Sequence, residues 1–223
     1  MGNNIIHIFY IKQTEKLPDE IFYKFLLKLP EQFKEQILAY KHWQSAQASL
    51  LGKILLTYGF KELNLDYSLH DIQVDAKDRP FINDSIDFNI SHSGEYVIAA
   101  ISTNAKVGID IEKHRKLKMN IAERYFDGRE CNEIDTSSNS SLAFFDLWAI
   151  KESAIKCDGR GVEVLSKTHK QYQETNLNTV ICDAITYYYQ QIVIEENYSC
   201  CVCGNEEFKT KLTKLQPSDL LNI

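Results

Sequence analysis

No stretch of this 223-residue sequence is apolar for long enough to cross a bilayer. The first ten residues lack a basic head, an apolar stretch and a small-residue cleavage site, so a cytoplasmic rather than an exported protein is expected. Positive charge is in deficit. The 25 Lys and Arg stand against 31 Asp and Glu, a formal net charge of −6, which argues against broad binding to nucleic acid or to an anionic membrane. No G-x-x-x-x-G-K-[ST] loop is present, which excludes a P-loop phosphotransferase. No G-x-S-x-G elbow is present either, so the run Ser91-His92-Ser93 lacks the turn of an α/β serine hydrolase. Cys200 and Cys203 have C-x-x-C spacing, but no second pair accompanies them. The six cysteines therefore read as free thiols rather than bridges or a metal site.

What is present is an ordinary globular composition, 44% hydrophobic and 25% charged, in a chain long enough for one large or two small domains. Residues 5–11 are rich in Ile and aromatics and predict a strand. Apolar spacing over 19–60 is helical, with a new helix starting at Pro30. Residues 87–90, 96–102 and 107–112 predict three strands, the first two around a Ser-His-Ser-Gly turn. Helices are expected over 120–133 and 142–157 with a loop at 136–141, and 171–203 reads mostly as strand. The order is an α+β pattern occurring twice. The expected division is an N-terminal half 1–104, a C-terminal half 105–205 and a tail 206–223 packing back on the first half.

Three runs could carry chemistry. In Val107-Gly108-Ile109-Asp110-Ile111-Glu112 two carboxylates at i and i+2 share one face of a strand. They suit a hard divalent cation, or simply a solvated strand end. Trp148, Glu152 and Lys156 stand at i, i+4 and i+8 and share one helix face. A surface ion pair beside an anchored Trp gives the same pattern. His92, at a strand end, could bind an anion or move a proton, or be solvated.

Together, Phe88-Asn89-Ile90-Ser91-His92-Ser93-Gly94, the Val107 to Glu112 run and Trp148-Ala149-Ile150-Lys151-Glu152-Ser153-Ala154-Ile155-Lys156, followed by Gly159 and Gly161, resemble the signature of the surfactin-synthetase type of 4'-phosphopantetheinyl transferase. The resemblance implies a pseudo-dimer of two similar α+β halves with the active site in the cleft between them. It implies coenzyme A as donor, Mg²⁺ as cofactor and a serine of an apo acyl or peptidyl carrier protein as acceptor, with a monomer sufficing because the pseudo-dimer builds its own cleft. On these positions Asp110, Glu112 and Glu152 are the implied metal ligands, and Glu152 and Lys156 the implied catalytic groups. Arg79, Ser91, His92 and Lys156 are the implied coenzyme A contacts, and Glu130 matches an acidic residue near the metal. Basic residues that relatives carry before Leu50-Leu51-Gly52 are missing from Gln44 to Ser49, leaving Ser49, Lys34, Lys41 or Lys53 to clasp the 3'-phosphate. The alternatives are a catalytically silent carrier-binding module on the same fold and another Mg²⁺-dependent nucleotide phosphotransferase.

Overall fold

The computed structural model describes residues 4–116, 124–172 and 177–221. Strand β1 (Ile5–Lys12) leads into helices α1 (Asp19–Leu26), α2 (Glu31–Leu38) and α3 (Trp43–Glu62). A small ribbon of β2 (Gln73–Val74) and β3 (Pro80–Phe81) precedes β4 (Ile86–Ser93), β5 (Tyr96–Thr103) and β6 (Val107–Lys113). Helices α4 (Gly128–Thr136) and α5 (Ser140–Asp158) follow, then β7 (Thr168–Lys170), β8 (Thr179–Cys182), β9 (Ile185–Gln191), β10 (Tyr198–Gly204) and β11 (Lys209–Leu215).

Local chemistry sets the boundaries. Helices α1 and α2 each begin directly after a proline, Pro18 and Pro30, and carry acidic residues in their first turns, where the helix dipole favours them. The helix expected over 120–133 is interrupted: residues 124–125 are helical and 126–127 are not. Its first part, 120–123, lies outside the described residues, and α4 starts at Gly128 because Asp127 caps it. The Asp127 carboxylate accepts from the backbone of Arg129 and Glu130, and Glu130 returns a bond to the Asp127 backbone. The Asn139 side chain caps α5 by accepting from Leu142 N, so the loop expected over 136–141 shrinks to 137–139. Helix α5 stops at Gly159, which takes a left-handed φ of 87°. The strand before the Ser-His-Ser-Gly run continues through it to Ser93.

Two sheets result, one ordered β11-β1-β5-β4 and one ordered β6-β10-β9-β8-β7. Within them only β1 and β11 pair in parallel. Period-two alternation sends alternate side chains to opposite layers. Val97, Ala99 and Ile101 of β5 meet Leu51, Leu55 and Phe60 of α3 on the outer face of the first sheet. Ile98 and Ala100 point the other way and join Ile6 and Ile8 against Ile109, Ile111, Cys200 and Val202 of the second sheet. On the far face of that sheet Cys201 and Cys203 pack under Ala149, Ile150 and Ala154 of α5. Each fully buried Leu or Ile contributes about 1.5–3 kcal/mol to this arrangement. The fold is α+β, a pseudo-dimer of two halves, each a sheet backed by helices. The same alternation separates Cys200 from Cys203: they occupy different cores, so the C-x-x-C spacing brings no thiol pair together, and all six cysteines are free.

Candidate active site

Strands β4 and β6 are the facing edges of the two sheets. Asp87, Asn89, Ser91 and Ser93 share one face of β4, and each accepts a hydrogen bond from a backbone N–H of β6. Val107 donates to Asp87 Oδ2 (2.7 Å), Ile109 to Asn89 Oδ1 (3.1 Å), Ile111 to Ser91 Oγ (3.3 Å) and Lys113 to Ser93 Oγ (3.0 Å). Side chains thus satisfy the edge groups of β6 that β10 does not reach. The two serine hydroxyls also donate to carboxylates of β6, Ser91 to Asp110 Oδ1 (3.0 Å) and Ser93 to Glu112 Oε2 (3.3 Å).

Helix α5 lies across β6 at Gly108. A Cβ there would overlap the Ser153 carbonyl oxygen and the Cys157 backbone nitrogen, so only glycine lets helix backbone rest on the strand. This contact brings Glu152 and Lys156 over Asp110 and Glu112. The result is a cleft of about 390 Å³, lined by Ser91, His92, Asp110, Glu112, Trp148, Glu152 and Lys156, together with Ile90, Ile111 and Arg115. Trp148 forms its wall, stacked on Phe144 at 6.0 Å.

Inside the cleft the Lys156 ammonium donates to Asp110 Oδ1 (2.6 Å), Ser91 Oγ (3.2 Å) and the Ile109 carbonyl (3.2 Å). That uses all three of its donors. It also fills the Ser91 hydroxyl, whose one proton goes to Asp110 and whose lone pairs meet Ile111 N–H and Lys156. Asp110 Oδ2 is left buried with no hydrogen-bond partner. Burial, then the Asp110 charge, pushes Glu152 up to about 7, against the opposing pull of Lys156. Burial and Asp110 raise Glu112 as well. Withdrawal from water, Lys156 and Lys53 lower the His92 imidazole, in that order. An orphaned buried carboxylate oxygen beside two carboxylates with raised pKa values is a donor set that a hard divalent cation fits.

Several expected residues stand elsewhere. The Arg79 fork is spent on Asp87 (2.9 and 2.6 Å), the Lys156 carbonyl (3.1 Å) and the Val107 carbonyl (3.2 Å), and Arg79 does not line the cleft. It locks the end of α5 to β4 and β6. Glu130 is fully buried away from the cleft. It binds Lys151 at 2.7 Å and accepts from the Lys170 and Asp127 backbones. Breaking such a buried pair from one side costs about 3–5 kcal/mol. Asp127, Glu130 and His169 are the only described His, Cys, Asp or Glu side chains whose ligand atoms cluster within 4.8 Å. Asp110, Glu112 and Glu152 stand further apart, as three mutually repelling carboxylates do. In the Asp127 cluster both Glu130 oxygens are already bonded, which gives it a structural task. Of the three lysines weighed for the 3'-phosphate, Lys34 pairs with Glu31 and Lys41 is exposed. Lys53 is the one whose charge reaches His92. Its ammonium donates to Ser49 Oγ at 3.1 Å, and burial lowers its pKa. Arg115 went unread in the sequence. It follows Glu112 by three positions, and its place at the cleft depends on where the chain turns after β6.

Comparison with known proteins points to one family. The profile of the 4'-phosphopantetheinyl transferase superfamily matches residues 106–203, and that of the 4'-phosphopantetheinyl transferase N-terminal region matches residues 18–104. The chain is 29% identical over 227 residues to the 4'-phosphopantetheinyl transferase gsp of Aneurinibacillus migulanus, covering 98% of this chain and 95% of that one. It is 28% identical over 225 residues to the 4'-phosphopantetheinyl transferase Sfp of Bacillus subtilis, covering 96% and 99%. The L-aminoadipate-semialdehyde dehydrogenase-phosphopantetheinyl transferase of Xenopus laevis is 23% identical over 207 residues, covering 79% and 68%. With two adjoining family profiles over most of its length and full-length relatives of one kind, the chain belongs to the Sfp and gsp type of 4'-phosphopantetheinyl transferase.

Proposed function

We propose that the cleft between β4, β6 and α5 transfers the 4'-phosphopantetheine group of coenzyme A to a serine hydroxyl of an apo acyl or peptidyl carrier protein, leaving adenosine 3',5'-bisphosphate. The observation that carries this reading is the buried, unpartnered Asp110 Oδ2 beside Glu112 and Glu152, with Lys156 on the same wall. Asp110, Glu112 and Glu152 would hold Mg²⁺. Held there, the ion would supply positive charge to offset that of the pyrophosphate oxygens. Glu152, poised near neutrality, accepts the proton of the attacking serine directly or through a water. The serine oxygen bonds to the phosphorus that bears pantetheine, and the bond from that phosphorus to the adenosine bisphosphate breaks. Lys156 stabilises the charge that grows on the departing phosphate. Arg79 acts as a brace that fixes the end of α5, and Ser91 works through the strand it holds.

The walls come from residues 1–104 and 105–205 of one chain, which supports action as a monomer. Among the described residues no helix is long and apolar enough to cross a membrane. With free thiols throughout, this supports a cytoplasmic setting. Incubating the protein with coenzyme A, Mg²⁺ and a panel of apo carriers tests the assignment by mass measurement. A gain of one phosphopantetheine on the carrier serine is expected, and no gain on any carrier would sink it.

Two expectations follow from the charges. Cation binding requires ionised carboxylates, and Glu152 is pushed up to about 7. Below that pH it must lose a proton on binding, so Mn²⁺ affinity falls by about tenfold per pH unit from pH 7 downward and levels off above pH 8. Titration calorimetry at stepped pH checks this, and a flat profile between pH 5.5 and 8 would take Glu152 out of the ligand set. The positive form of His92 is disfavoured by withdrawal from water and by Lys156 and Lys53, and that of Lys53 by burial; both would meet the 3'-phosphate, whose charge would restore them. His92→Ala is expected to weaken coenzyme A by about tenfold, or ~1.5 kcal/mol, and to leave dephospho-coenzyme A nearly unchanged. Equal losses for both donors would place His92 in another task.

A further inference from the structure

Ser93 belongs to the ladder between β4 and β6 but does not line the cleft. Its hydroxyl accepts from Lys113 N at 3.0 Å and donates to Glu112 Oε2 at 3.3 Å. Ser91 repeats the pattern two residues earlier with Ile111 N and Asp110 Oδ1. The repeat has a geometric cause. Both strands place alternate residues on one face, so serines at i and i+2 meet successive pairs of a carboxylate and the next backbone N–H. Asn89, one rung before Ser91, caps Ile109 N–H and has no hydroxyl to offer a carboxylate.

We infer that Ser93, in concert with Ser91, is a positioning residue for the cation site. Its hydroxyl ties the Glu112 carboxylate and the β6 backbone to one point, which fixes the Glu112 rotamer. Glu112 has one more rotatable bond than Asp110, so it gains most from the tie. The inference rests on reading Asp110, Glu112 and Glu152 as the ligands. In its favour, the Asp110 oxygen that Ser91 leaves free is the buried one without a partner. Partners that orient ligands in this way commonly contribute 10–100-fold to metal affinity.

The test is Mn²⁺ titration calorimetry on the whole chain without coenzyme A. Ser93→Ala is expected to weaken Mn²⁺ by about tenfold. Ser93→Thr, which keeps the hydroxyl, is expected to restore the parent affinity. Asn89→Ala, which removes a rung without touching a carboxylate, is expected to change affinity by less than about threefold. Ser93→Cys keeps the shape but is a poor donor. It should weaken Mn²⁺ like Ser93→Ala and stands in for that variant if it does not fold. An equal loss for Asn89→Ala and Ser93→Ala would overturn the inference in favour of simple strand support. So would parent affinity in Ser93→Ala while Asp110→Ala has lost the ion. Parent affinity in Asp110→Ala itself would instead remove the ligand reading.

Discussion

Replacing Asp110 with alanine is expected to lower carrier modification by on the order of 10³-fold, the several kcal/mol that metal stabilisation of developing charge is worth. Its carboxylate is the point where the site converges. One oxygen binds Lys156 and Ser91, and the other is buried with no hydrogen-bond partner. Mn²⁺ affinity should collapse with activity. Stability should not. After burial, the Asp110 charge is what raises the Glu152 and Glu112 pKa values, so its removal relieves repulsion while it also breaks the pair with Lys156. The two changes oppose, and the melting temperature is expected to stay within about 4 °C of the parent, the shift that ~1 kcal/mol produces in a chain this long. Glu152 is raised from an ordinary 4.5 to about 7, so the cation-free parent binds a proton that the unfolded chain does not. Its stability therefore declines as pH rises through that window. Asp110→Ala should flatten this decline. Near-parent turnover with Mg²⁺ would end the role given to Asp110.

Lys156→Ala is expected to reduce kcat by on the order of 10²-fold with little change in KM for the carrier. Its side chain is 27% exposed, and its ammonium is bound to Asp110 on the carboxylate strand. Stabilising charge that appears only as the phosphate departs favours the transition state over bound substrate. A plain surface ion pair would be worth about 0.2–0.5 kcal/mol to the helix and would leave turnover alone. Lys156→Arg keeps the charge but changes its shape, so it should recover only part of the rate. Steady-state kinetics against one apo carrier separate these outcomes. An unchanged kcat in Lys156→Ala, with only a slightly lower melting point, would leave the ion-pair reading standing.

What the sequence makes legible is local. Asp110 and Glu112 at i and i+2, and Trp148, Glu152 and Lys156 at i, i+4 and i+8, obey element periods, and all five line the cleft. The double α+β order follows from the same patterns. What escapes is whatever depends on residues far apart. The alternation of Asp87, Asn89, Ser91 and Ser93 shows a polar strand face, but not that the backbone of β6 lies opposite it. Arg79 stands beside Pro80 in the sequence, yet its fork closes on Asp87 and on a helix end 77 residues away. Glu130 matches an acidic residue near the metal by resemblance, and its buried pairing escapes the sequence because its partner Lys151 comes from another helix. Gly108 reads as an ordinary strand glycine until the α5 backbone is laid on it.

The parallel pairing of β11 with β1 has a consequence for how the molecule could be divided. After β10 the chain leaves the second sheet and adds its next strand to the outer edge of the first. A cut between β5 and β6 would therefore yield no self-sufficient pieces. The leading fragment would expose the whole edge of β1 as an unpaired template, and the trailing fragment would carry an orphan strand with nowhere to dock. The two sheets are strapped crosswise, in the manner of an arm exchanged between partners of a dimer and then sealed into one polypeptide. Split fragments should aggregate separately and recover only when mixed, because the edge that one lacks is held by the other.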